Sequence, residues 1–158
     1  MRKKETVDMT KDELRSYLAI KREREQIERR LSYTLEKIED IEGKLYAPKA
    51  QQLTGMPAAP SRKGSALEDM VANCEEELTD QRAYYQQLQH YYEHLEGKLA
   101  AQQLAIEAAI EGLEPTERTL LRLHYLEGMK WEDVCVDIGY SWRQTHRLHA
   151  VALKKLQG

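Results

Sequence analysis

Between Asp137 and His149 the chain reads DIGYSWRQTHRLH, and no acid follows Asp137 in the remainder of the sequence. The chemistry these side chains offer is recognition rather than bond-making. A guanidinium such as that of Arg143 or Arg147 can fork onto guanine O6 and N7, and a lysine such as Lys154 can pair with phosphate. On a helix, rotation of 100° per residue puts Arg143, Arg147, Ala150 and Lys154 on one face, with Trp142 and His146 at its flanks. Thr145, Leu148, Ala152 and Leu156 fall on the opposite face and are expected to pack inward. The small Ala150 among basic residues allows close approach to a groove. Solvated helix faces usually mix signs, whereas every charge on this segment is positive. The expected DNA-contacting set is therefore Ser141, Trp142, Arg143, Gln144, His146, Arg147 and Lys154, and the competing reading is a solvated face of a helical domain.

The elements around this face are legible from capping and turn residues. Ser141 and Gln144 have the S/T-x-x-E/Q spacing of a capping box, so the basic helix starts just after Ser141 and runs to about Leu156. Gly139 and Tyr140 form a tight turn, preceded by a short helix over WEDVCVDI in which Cys135 is the small residue that lets two helices approach. Glu114-Pro115 marks an earlier break, because proline is tolerated in the first turn of a helix and not in its interior. TERTLLRLHYLEG then gives another short helix ending near Gly128. A helix, a turn containing glycine and a capped helix make the helix-turn-helix layout.

Upstream, two long periodic segments carry no such chemistry. Thr10 with Glu13 and Ser65 with Glu68 repeat the capping-box spacing and open them. The first runs through Leu14, Tyr17, Ile27, Leu31, Leu35, Ile38, Ile41 and Leu45, with a charged gap around Lys21 and Arg24. The second keeps strict heptad a/d spacing through Leu67, Val71, Cys74, Leu78, Gln81, Tyr85, Leu88, Tyr92, Leu95, Leu99, Gln102, Ile106, Ala109 and Leu113. At 1.5 Å per residue its roughly 48 residues span about 70 Å, and a first helix of about 36 residues folded back along it makes an antiparallel hairpin. Gln81 and Gln102 in the seam trade stability for register. Three of the four prolines lie in APKAQQLTGMPAAPSRKG, which reads as a linker.

Other candidates give way to plainer readings. Tyr85 and Tyr92 lie on the seam and pack, while Tyr84 and Tyr91 flank it at a partner surface rather than forming a stacking platform. His90 and His94 are spaced i, i+4 but lack an HExxH pattern and a third ligand. Cys74 and Cys135 read as reduced packing residues. No nucleophile with a base, phosphate loop or metal cluster is evident, so neither catalysis nor a cofactor is expected. No apolar run approaches the roughly 18 residues of a membrane span, which points to a cytoplasmic protein.

The segment Leu113 to Leu156, with its L-x-P-x-E-R opening, LRLHYLEG helix, WEDVCVDIGYS turn and closing ALKKL, resembles the region 4 helix-turn-helix of sigma-70-type factors. That resemblance implies promoter reading from the first two turns of the last helix, at Trp142, Arg143, His146 and Arg147. The sigma regions that bind core polymerase and the upstream promoter element have no counterpart here, and Thr145 replaces a usual aliphatic. The whole chain is similar to small phage-encoded regulators of the RinA and ArpU type, through its helical pair, the TGMP stretch at Thr54 to Pro57 and the region 4-like end. This implies control of phage or prophage late genes, in concert with host RNA polymerase or its sigma factor.

The expected architecture is all-α: a first long helix over 1–46, a linker over 47–64, a second long helix over 65–113, and a three-helix DNA-binding domain over 114–158. Double-stranded DNA is the expected ligand, and the hairpin is expected to build a homodimer or higher oligomer. Two rivals share these features: a DNA-packaging component such as a small terminase subunit, and a structural coiled-coil adaptor.

Overall fold

The computed structural model describes residues 9–46 and 63–158. It is all-α, with α1 over Lys11–Tyr46, α2 over Lys63–Ile110, α3 over Pro115–Leu121, a π-helical turn over Arg122–Leu126, α4 over Trp131–Ile138 and α5 over Trp142–Leu156. The linker expected over 47–64, with its TGMP stretch, lies almost wholly outside the described residues. The described chain gathers into two compact units, one taking in Met1–Arg24 with His94–Gly158 and the other Glu25–Glu93. Their boundaries fall inside α1 and α2, not at the ends of helices.

In the unit Glu25–Glu93 the two long helices pair in opposite directions. Ile38 and Ile41 of α1 bury against Leu78 of α2, and Leu45, Cys74 and Tyr85 close around them. Arg82 reaches Glu42 at 2.7 Å, but both side chains are substantially exposed, so the pair adds little stability. One seam position differs from the sequence reading: Leu35 is 42% exposed and Thr34 is 3% exposed. The reason is register. Ile27, Leu31, Thr34, Ile38, Ile41 and Leu45 step by alternating fours and threes, and that spacing selects the threonine over its apolar neighbour. On α2 every seam residue from Leu67 to Ala109, and Leu113 just beyond it, is buried or half-buried, as the heptad predicted. The cap assigned to Ser65 is corrected, because α2 already begins at Lys63 and places Ser65 inside its first turn.

The other unit joins residues far apart in sequence. Its core takes Met9 from just before α1, Leu14, Tyr17 and Ile20 from the start of α1, Ile106 and Ile110 from α2, and Leu120, Leu121, Tyr125, Leu126, Val134, Ala152 and Leu156 from the terminal helices. The capping box at Thr10 forms: its amide donates to Glu13 at 2.8 Å and its hydroxyl accepts from the Glu13 amide at 3.3 Å. Just before it, the Met9 amide donates to the Leu156 carbonyl at 3.3 Å, so the start of α1 is latched to the end of α5. The charged gap at Lys21 has a purpose here, since its ammonium donates to the Leu126 carbonyl at 3.1 Å and satisfies an orphan group at the end of the π turn. After that turn Gly128, at φ 76°, reverses the chain while the Met129 amide reaches back to Leu123 at 2.9 Å.

Candidate nucleic-acid interface

Helix α4 ends at Ile138, and Gly139 adopts φ 73°, ψ 26°, a left-handed conformation that costs glycine nothing. The amides of Gly139 and Tyr140 both donate to the Cys135 carbonyl, at 3.0 and 3.2 Å. Two residues after Gly139, Ser141 is extended and caps α5: its hydroxyl accepts from the Gln144 amide, and its own amide donates to Gln144 Oε1, each at 3.2 Å. Ser141 and Gln144 thus fix the first turn of α5 by bonding each other, and both remain exposed.

Around α5, Thr145, His149, Ala152 and Leu156 face the interior, while Arg143, Arg147, Ala150 and Lys154 are exposed on the far side. The inward face differs from the sequence reading at one turn: Leu148 is only half-buried and His149 takes the core position. The substitution is possible because His149 has a partner there, its Nε2 lying 2.7 Å from the Tyr125 hydroxyl. Thr145 Oγ1, by contrast, is buried with no hydrogen-bond partner. Lys155, off the basic face, pairs at 2.8 Å with the nearly inaccessible carboxylate of Glu117 on α3. Glu117 also accepts the Glu114 amide at 3.3 Å, so one buried acid ties the start of α3 to the end of α5.

An aromatic cluster braces α5 from behind. His124 stacks on Trp131 at 3.9 Å between ring centroids and donates Nδ1–H to the Met129 carbonyl at 2.8 Å. Trp131 also lies 4.5 Å from His149 and 5.0 Å from His146, and His146 lies 4.3 Å from Trp142. Burial is the main force on the imidazoles. It drives His149 down to about 4, assisted by the charges of Lys11, His124, His146 and Arg15. His124 is lowered chiefly by burial too, against the pull of its bond to Met129, and burial raises the Tyr125 phenol. At neutral pH His124 and His149 are therefore uncharged packing groups.

Of the residues singled out from sequence, Arg143, Arg147 and Lys154 stand together on one exposed face, and Trp142, 51% exposed, sits at its leading edge. His146 stands apart from them: it is half-buried between two tryptophans and its Nε2 is enclosed without a partner. Sequence reasoning missed Tyr125, Trp131, His149 and Glu117, whose roles depend on which helices meet. It also missed Lys11 and Arg15, whose charges reach this cluster from the opposite end of the chain. Comparison with protein-family models, with curated proteins and with solved structures finds no match for this chain.

Proposed function

We propose that this protein is a sequence-specific DNA-binding regulator of transcription, with α4, the three-residue turn and α5 acting as a helix-turn-helix of the sigma region 4 kind. One observation carries the reading: the capped helix after the left-handed Gly139 turn exposes Arg143, Arg147 and Lys154 on a face free of acids, while its other face is buried. In the major groove Arg143 and Arg147 would read base edges, Lys154 would meet a phosphate, and Trp142 would pack at the groove wall. Ser141 and Gln144 would hold the amino end of α5 at the DNA, and His146 would set the angle of Trp142.

The tail from Glu114 to Gly158 holds seven Lys/Arg against six Asp/Glu, so its positive field is confined to α5. One such helix meets few phosphates, and avidity must come from pairing copies. Tyr33, Leu35 and Tyr84, large and exposed on the unit Glu25–Glu93, support self-association through the hairpin. On the resemblance of the sequence to phage regulators, the target we propose is a phage or prophage late promoter, with host polymerase or its sigma factor as the second partner.

The test is selection of bound fragments from a random duplex library, followed by affinity measurement on the preferred site. Arg143→Ala and Arg147→Ala are each expected to cost about 1–3 kcal/mol on that site with helicity unchanged. Equal affinity of parent and variants would refute the reading. Enrichment of packaging-start sequences instead of promoters would move the protein to the DNA-packaging class.

A further inference from the structure

The first turns of α1 do not merely pack against the terminal helices; they bring charge with them. Leu14 and Tyr17 are buried, and Leu18 lies 3.4 Å from where a side chain at Gly128 would begin, so α1 is held against both α5 and the loop before α4. At about 100° per residue, Lys11, Arg15 and Arg22 line one edge of this segment, next to the buried stripe. Glu13 is turned back to the Thr10 amide. Neither Lys11 nor Arg15 forms an ion pair with a described residue, and both charges are felt at His124 and His149. Like charges are thus gathered near α5, in a chain whose formal net charge is −3. Such an arrangement is unfavourable in the free protein and is relieved by an anionic partner.

We propose that Lys11 and Arg15, continued by Arg22 on the same edge of α1, form a second phosphate-binding edge beside α5 that grips the backbone of the duplex whose bases α5 reads. The inference rests on the reading of α5 as the DNA-contacting helix. The edge carries no base-reading geometry of its own, so it contributes affinity and salt dependence and leaves sequence preference to α5.

Full-length protein is titrated with the preferred duplex and with a scrambled duplex over a series of salt concentrations. Each phosphate contact contributes about 0.9 to the slope of log affinity against log salt, so Lys11→Ala with Arg15→Ala should lower that slope by about 2. At 0.1 M salt both duplexes should bind roughly ten-fold more weakly per lost contact, leaving their ratio unchanged. The charge-keeping pair Lys11→Arg with Arg15→Lys should restore the parental slope, which separates loss of charge from damage to the fold. A slope equal to the parent's in the double alanine variant overturns the proposal, as does a loss confined to the preferred duplex. If Arg143→Ala with Arg147→Ala leaves discrimination intact while the α1 variant still lowers the slope, the α5 reading fails and the α1 edge stands. If the parent binds neither duplex, both fail.

Discussion

His149 shows what a single residue can hide. It sits in the basic stretch and by composition looks like part of a cationic surface, yet it is buried against Tyr125 and Trp131 and held neutral, near 4. Between the ordinary imidazole value of 6.5 and that value, the unfolded chain takes up a proton that the folded chain refuses. Stability from this group is therefore complete above pH 6.5 and is lost as pH falls to 4, an effect of about 3 kcal/mol. Denaturant titrations at pH 7 and pH 4.5 are expected to show that loss, and His149→Gln is expected to flatten most of it. An unchanged pH dependence in the variant would place the acid sensitivity elsewhere.

At the scale of elements, caps and turns set where helices start, while packing sets which face they bury. Ser141 with Gln144 and Thr10 with Glu13 are local chemistry and form as the spacing implies. The turn at Gly139 is local in the same sense. Its φ of 73° lies where a Cβ is disfavoured, and no atom within 4 Å would meet the added methyl. Gly139→Ala should therefore cost about 1–2 kcal/mol from backbone conformation alone, seen as a lower melting temperature with unchanged helicity. A neutral result would show that the turn relaxes out of the left-handed region. The π turn over Arg122–Leu126 is the contrary case. Nothing in RLHYL requires it; the carbonyl of Leu126, capped by Lys21 from α1, shows that the tertiary partner supports it.

For the molecule as a whole, the unit that bears α5 is completed by the beginning of the chain. Burial of Leu14, Tyr17 and Ile20 is worth roughly 1.5–3 kcal/mol each. Deleting residues 1–24 should therefore weaken amide-exchange protection throughout α3, α4 and α5, although no residue of those helices is removed. Unchanged protection would mean that 114–158 is self-sufficient. Sequence alone determined the helices, the heptad seam of α2 and the exposed basic face of α5, because periodicity, caps and proline or glycine breaks act over a few residues. It was silent on His149 in the core, on Glu117 pairing with Lys155, and on α1 latching to α5 through Met9 and Leu156. Each of those joins residues far apart in the chain: 24 positions for His149 and Tyr125, 38 for Glu117 and Lys155, and nearly the whole length for Met9 and Leu156. Their partners are chosen by which apolar surfaces and orphan polar groups meet when the helices pack, and no local pattern in the sequence encodes that choice.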